Sequence, residues 1–339
     1  MKEIATVDAV GQVLCHDLTQ ILPGEFKGAR FSKGHIVTEE DIPVLLSMGK
    51  EHLFVWEMQP GMLHENEAAE RLLALTMNAN MTRSGVKEGK IELFAAADGV
   101  FLVDSARLNA INAIDEITIA TRRGNFPVRA GDKLAGMRVI PLVIEKSKLD
   151  AAKAVAGEKP ILSLLPFVLK TAAVITTGSE VFSGRIEDRF TPVLIEKLRA
   201  YGIGVTLHTV TDDQTDPIEQ AIAAAREAKV DLILCTGGMS VDPDDRTPGA
   251  IRKSGARIVT YGAPVLPGAM LLLGYFSDGT PILGLPGCVM YAKATVFDLV
   301  LPRIAAGVPL QKSDLTSLGE GGLCLGCGVC TYPHCPFGR

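Results

Sequence analysis

Apolar and polar positions alternate over short stretches at the start of the chain. From Val10-Gly11-Gln12-Val13-Leu14 to Trp56, brief apolar runs are broken by Gly and Pro, which is the pattern of short strands and turns. One helix is expected within it. Thr38-Glu39-Glu40-Asp41 offers a capping hydroxyl and three acids to the positive end of a helix dipole, and Gly49 stops the run. Residues 64–84 read as a second helix, because Ala68, Leu72, Leu75 and Ala79 share one face. Short strands return over 91–95, 99–103, 117–121 and 137–144, and the Ala- and Lys-rich stretch 149–158 reads as a helix or linker.

The texture changes at Lys170. Residues 172–177 form a continuous apolar strand, followed by a helical pattern over 190–201, a strand over 204–210, a helix over 217–229 and another apolar strand over 230–236. Such alternation predicts a parallel sheet with helices on both faces. The expected fold class is therefore α/β, a three-layer domain with a mostly parallel sheet over 169–310. A strand-rich N-terminal region of one or two modules (1–168) precedes it, and a linker with a short Cys-rich tail (311–339) follows.

Open sheets of this kind bind ligands outside the carboxyl ends of their strands, so the loops there are the candidates for chemistry. The first is Thr177-Gly178-Ser179-Glu180, with Gly184 and Asp188 before the next helix. Its glycine permits close backbone approach, and N–H groups at a helix start suit phosphate, although an ordinary strand-to-helix turn reads the same. The second is Thr211-Asp212-Asp213-Gln214-Thr215-Asp216-Pro217. Its paired carboxylates suit magnesium, and helix capping by Asp213, Thr215 or Asp216 is the plainer alternative. The third runs Thr236-Gly237-Gly238-Met239-Ser240-Val241-Asp242-Pro243-Asp244-Asp245-Arg246. A diglycine, a hydroxyl and several acids directly after an apolar strand exceed what a turn requires.

Composition narrows the function classes. The chain has 339 residues, 47% of them hydrophobic, and a formal net charge of −5, which offers no basic field for nucleic acid. The N-terminus lacks the apolar run of a signal peptide, and no apolar stretch reaches the roughly 20 residues of a membrane span. A soluble, cytoplasmic protein without membrane or nucleic-acid partners is expected. Of seven cysteines, Cys15 and Cys235 read as core, and Cys288 also reads as core although it adjoins Gly287. Cys324, Cys327, Cys330 and Cys335 crowd into the C-terminus beyond a polar connector, 311–322, that would let them act as a flexible module. Cys-x-x-Cys-x-x-Cys followed by Cys-Pro is close to a bacterial ferredoxin run with one extra residue before the fourth cysteine. An iron–sulfur cluster is expected, with a four-cysteine zinc site as the competitor and His334 as a substitute for Cys335.

Taken together, Thr177-Gly178-Ser179-Glu180, Val210-Thr211-Asp212-Asp213, Asp231 to Ser240, Asp245 and Gly284-Leu285-Pro286-Gly287 resemble the molybdopterin-binding domain of molybdenum cofactor biosynthesis proteins. The resemblance implies binding of molybdopterin or its adenylylated form with Mg2+. It implies functional carboxylates at Asp212 and Asp245, and cofactor contacts at Thr177, Gly178, Ser179, Gly237, Gly238, Ser240 and Gly287. Ser240 and the long N-terminal region make the chain more similar to the molybdenum-inserting branch, molybdopterin molybdenumtransferase, in which an acid matching Glu180 is used. The reaction so implied is magnesium-dependent insertion of molybdenum from molybdate, in a homo-oligomer that serves molybdoenzymes or other cofactor-pathway proteins.

Three departures stand beside the resemblance. A basic loop of the family reads Leu266-Pro267-Gly268-Ala269-Met270 here, Cys288-Val289 follows Gly287 in place of Asn-Pro, and the inserting branch's Asp-Gly-Tyr-Ala segment has no counterpart. They keep open a second reading, a non-catalytic pterin-binding carrier or redox sensor with an iron–sulfur tail. Arg246 and Arg185 are the nearby cations that could stand in for the missing lysines.

Overall fold

The apolar runs beyond Lys170 become one six-stranded sheet. Its strands are β1 (Thr171–Thr177), β2 (Gly204–Thr211), β3 (Leu232–Thr236), β4 (Arg257–Tyr261), β5 (Leu272–Tyr275) and β6 (Pro281–Leu285). The order is β2-β1-β3-β6-β5-β4. β1 pairs in parallel with β2 and β3, and β3 with β6, whereas β5 runs antiparallel to both β6 and β4. The sheet is thus mostly parallel, as the alternation predicted. The chain leaves β1 toward β2 on one side and then crosses to β3 on the other. That reversal opens a crevice at the carboxyl ends of β1 and β3.

This computed structural model describes residues 2–22, 26–55, 60–240, 242 and 245–338. Trp56, Val241, Pro243 and Asp244 of the sequence reading lie outside the described residues. Five helices flank the sheet or its loops: α1 (Ser179–Phe182), α2 (Phe190–Arg199), α3 (Thr215–Glu227), α4 (Thr247–Lys253) and α5 (Val296–Ala305). Side-chain alternation along the strands explains the layers. Ala172, Val174, Leu232 and Leu234 face one core with Leu194 and Leu198 of α2 and Val300 and Ile304 of α5. Ala173, Ile175, Ile233 and Cys235 face the other, with Ile218 and Ile222 of α3 and Ala250 and Ile251 of α4. Cys235 is buried as expected, and burial pushes its thiol up to about 12.

The chain divides into two compact units. The first comprises 1–96, 103–122 and 130–163; the second comprises 97–102, 123–129 and 164–339. In the first, Met81–Arg83, Ile91–Ala95, Lys133–Val139 and Ile117–Thr121 make a four-stranded antiparallel sheet. The helix expected near Thr38 spans Asp41–Ser47, but the Thr38 hydroxyl does not cap it: it donates to the Asp41 carboxylate, and among the described residues no side chain caps the helix start. Two further expectations are corrected here. The helix expected over 64–84 is Glu65–Thr76 alone, because Met77 is extended, Asn80 takes φ 64° and Met81–Arg83 is drawn into the sheet against Leu93–Ala95. The strand expected over 137–144 ends at Val139, and Val143–Glu145 pairs separately with Met62–His64 around Pro141. Among the described residues no helix is long and apolar enough to cross a membrane.

The C-terminal residues are tied down rather than loose. The helix Lys312–Thr316 occupies the connector, the Cys324 N–H donates to the Leu266 carbonyl and the Leu266 N–H to the Gly322 carbonyl, and Phe337 is buried in the second unit's core.

Candidate active cleft at the carboxyl ends of the sheet

A cavity of about 620 Å³ opens at the crevice between β1 and β3. Thr176, Thr177, Thr236 and Gly237 form its inner end, and Arg185, Arg189, Ile186 and Met290 stand among its outer residues. Strand parity decides where the threonine hydroxyls go. Thr176 and Thr236 continue the even positions that face α2 and α5, and Thr177 continues the odd positions that face α4. The Thr177 hydroxyl accordingly meets that of Thr247 at the start of α4, 3.2 Å away.

Two of the glycines are required by the space they occupy. Gly237 has φ 85°, and a β-carbon there would lie 2.2 Å from the Thr177 carbonyl oxygen. Gly238 has φ 52°, with Thr247 Oγ1 at 2.9 Å from such an atom. These backbone conformations favour glycine, and the diglycine thereby folds the third loop back over β1.

The wall on the α2 side is a polar network that the sequence reading did not assemble. The Asp188 carboxylate accepts from the backbone N–H groups of Phe190 (2.8 Å) and Thr191 (3.1 Å) and from the hydroxyls of Thr191 (2.6 Å) and Thr176 (3.0 Å). His208 Nε2 lies 3.2 Å from the same carboxylate. Burial alone would push the Asp188 carboxyl up, but the donors outweigh it and hold it below its ordinary value. The spacing Asp-x-x-Thr before an apolar helix is the signal that marks Asp188; nothing in the sequence points to His208, which arrives from an edge strand. Thr236 differs from its neighbours. Its hydroxyl oxygen is buried and has no hydrogen-bond partner among the described residues.

The residues singled out in the sequence are distributed unevenly. Thr177 and Gly237 line the cavity, and Gly178 follows Thr177 as the residue before α1, with φ 148°. Ser179 gives both its N–H (2.7 Å) and its hydroxyl (2.8 Å) to Asp213, so Asp213 caps α1 rather than α3. Asp212 is half-buried and accepts from the Gln214 N–H. Asp245 accepts from the Asp242 N–H and closes its own loop. Glu180 and Ser240 are exposed, and Gly287 opens a short 3-10 turn with free space at its α-carbon. Arg246 is engaged with the Gln214 side-chain oxygen at 2.8 Å.

Carboxylates and thiols stay dispersed. Among the described residues no three His, Cys, Asp or Glu side chains stand close enough together to hold an ion. The oxygen chemistry of Asp212 and Asp245 suits magnesium, and in this structure each carboxylate accepts from a backbone N–H of its own loop. Cys324 and Cys335 are half-buried against the core on the α2 and α5 side of the sheet, whereas Cys327 and Cys330 are exposed, so the four thiolates do not enclose a centre as they stand.

Comparison with known proteins agrees with the geometry in one segment. Residues 173–306 match the family described as "Probable molybdopterin binding domain", and residues 3–57 match a domain of unknown function, DUF8806. The "Putative competence-damage inducible protein" of Bacillus thuringiensis (strain Al Hakam) is 36% identical over 95 residues. That match covers 28% of this chain and 23% of the relative, so the chain spans about a quarter of the length of such curated relatives. Among solved structures, the molybdopterin biosynthesis enzyme MoaB of Thermus thermophilus is similar at 24% identity and TM-score 0.37, covering 42% of this chain and 99% of that one. The protein CinA of Thermoplasma acidophilum, of unknown function, is similar at 21% identity and TM-score 0.35, covering 40% and 98%. The cleft lies in the segment 173–306, the part of the chain that matches the molybdopterin-binding domain family.

Proposed function

We propose that the chain binds the pterin of the molybdenum cofactor in the cleft between β1 and β3, and that it acts in making or loading that cofactor. The observation that carries this reading is the buried, unpartnered hydroxyl of Thr236 at a cavity's inner end. A buried polar group without a partner costs free energy, and a heterocycle rich in donors and acceptors supplies the missing hydrogen bond. Thr176 and Thr177 add hydroxyls beside it, and Val181, Ile186 and Met290 supply apolar contact for a flat ring. The family match over the same segment supports the same ligand.

The finer reading is transfer of molybdenum from molybdate into molybdopterin or its adenylylated form, with Mg2+ against the phosphate. A carrier without turnover is the second reading. It is favoured by Asp245, whose carboxylate closes its own loop, and by the lysine-free segment 266–270. In both, a homo-oligomer handing the pterin to molybdoenzymes or other cofactor-pathway proteins is proposed. The tail thiols are proposed to take a soft metal, as an iron–sulfur cluster or zinc, once the exposed Cys327 and Cys330 fold inward. Anaerobic purification followed by oxidation and pterin fluorescence tests the binding, and incubation with adenylylated molybdopterin and molybdate tests turnover. Absence of any pterin signal after incubation with cofactor precursor would remove the binding claim. Binding without turnover selects the carrier.

A further inference from the structure

A ligand seated on Thr236 needs its charged end answered somewhere. The loop 266–270 holds no cation, and Arg246 is committed to Gln214. Two guanidinium groups remain at the cleft itself. Arg185 and Arg189 both line the cavity, both are exposed, and neither side chain has a hydrogen-bond or ion-pair partner among the described residues. They flank Asp188, whose carboxylate is turned inward to Thr176, Thr191 and His208 and so does not consume them. Hydrogen bonds anchor the backbone around both. The Arg185 N–H is fixed to the Glu180 carbonyl at 2.9 Å, and Arg189 immediately precedes α2, whose first N–H groups Asp188 holds. Glu187 is the other acid among the lining residues.

We infer that Arg185 and Arg189 form the anion subsite of this cleft and take the phosphate end of a phosphorylated pterin, in place of lysines absent from 266–270. The inference rests on the pterin reading for the identity of the ring, but the anion subsite stands on the placement of the two guanidinium groups. The cavity is graded to match. Neutral hydroxyls line its buried inner end, where a heterocycle exchanges hydrogen bonds, and planar cations stand at its open rim, where a phosphate keeps part of its hydration. A guanidinium presents two parallel N–H donors to two phosphate oxygens, so two arginines from one short loop can hold a phosphomonoester from two sides. An uncharged pterin gains nothing from them. The site therefore selects for the phosphate and not merely for the ring.

The test uses the full chain with neopterin, neopterin monophosphate and pyrophosphate as probes, titrated by fluorescence or calorimetry. The wild type is expected to bind the monophosphate about tenfold or more tightly than neopterin, as charge-assisted hydrogen bonds predict. The double variant Arg185→Gln, Arg189→Gln is expected to lose that preference while neopterin affinity stays unchanged. Arg246→Gln should keep the preference. Both arginines are exposed, so circular dichroism of the double variant should match the wild type. An undiminished preference in the double variant would overturn the inference while leaving pterin binding intact. If the wild type binds neither pterin, the ring assignment fails and pyrophosphate decides: binding that the double variant loses keeps the anion subsite, and binding that it retains, or no binding, sinks it.

Discussion

The Tyr332 hydroxyl donates a 2.8 Å hydrogen bond to the Asp298 carbonyl oxygen. That carbonyl is the acceptor that residue 302 would ordinarily serve within α5, and residue 302 is a proline with no N–H to offer. A residue of the tail thus repairs a gap written into a core helix. Phe337 and Gly338 complete the attachment, the first buried in the core and the second donating its N–H to the Gly321 carbonyl at 2.8 Å. Tyr332→Phe keeps the ring and removes the donor, so it should cost about 1–2 kcal/mol. It should also make the chain between Cys324 and Tyr332 more open to proteases. Chemical denaturation with timed limited proteolysis reads both, and unchanged stability with an unchanged cleavage rate would show that the bond holds nothing.

Gly237 and Gly287 make opposite predictions from the same residue type. A β-carbon at 237 would collide with the Thr177 carbonyl and force an L-residue into positive φ, whereas nothing lies within 4 Å of one at 287. Gly237→Ala should therefore destabilise by about 1–3 kcal/mol or more and abolish pterin binding, since the loop must lift from β1. Gly287→Ala should stay within about 0.5 kcal/mol of the wild type. Thermal melts with a pterin titration distinguish them. Equal behaviour of the two variants would mean that the diglycine does not shape the cleft.

What the sequence revealed and what it hid follow from range. The strands 172–177 and 230–236 were legible because continuous apolar runs bounded by Gly and Lys need no distant partner to be recognised. Their parity even placed Thr176 and Thr236 on one face once the two cores were known. The carboxylates were less legible, because an Asp in a loop reads the same whether it holds a metal or an N–H. Asp213 chose Ser179, 34 positions earlier, over its own helix, and only the pairing of β1 with β2 brings those two together. His208 joined Asp188 by the same pairing. The helix expected over 64–84 failed for a related reason: its helical spacing near Ala79 was overridden by sheet pairing at 81–83.

In the first unit, His64 sets a dependence on pH. Its Nδ1 accepts from the Lys33 ammonium (3.0 Å) and the Asn66 N–H (3.2 Å), and its Nε2 donates to the Cys15 carbonyl. Burial first, then the Lys33 charge, pull its pKa below the ordinary 6.5, so the folded chain keeps the ring neutral. His16 is lowered for similar reasons, burial and Lys50. Because the unfolded chain takes up protons first, the stability from these groups is present above pH 6.5 and falls away as pH drops below it. Glu65, raised by burial, acts in the opposite sense, contributing below its ordinary 4.5 and losing that contribution as pH rises. Melting temperature is expected to fall between pH 7 and 5.5. His64→Asn, which can still cap the helix Glu65–Thr76, should flatten the slope; parallel slopes in the two proteins would assign the effect elsewhere.

Asp188 joins stability and binding in one carboxylate, and that makes its removal informative. Asp188→Ala strips two backbone N–H groups and two hydroxyls of their acceptor, so a loss of about 1–3 kcal/mol is expected. Its pKa is held below 3.8 in the folded chain, so the carboxylate's contribution is fully present above that value and lost as pH falls through the lower folded one. The stability gap between wild type and Asp188→Ala should accordingly hold steady from pH 7 down to about 4 and narrow below it. Binding separates a positioning role from a merely structural one. Thr176 is both a partner of Asp188 and a wall of the cleft, so a freed hydroxyl should weaken pterin affinity even at temperatures where the variant is fully folded. Asp188→Asn retains one carbonyl oxygen toward the Thr191 N–H while its amide must face a hydroxyl, which can turn to accept. It should recover most of the binding and part of the stability. Recovery of stability without recovery of binding would detach Thr176 from the site and leave Thr236 to define its inner end.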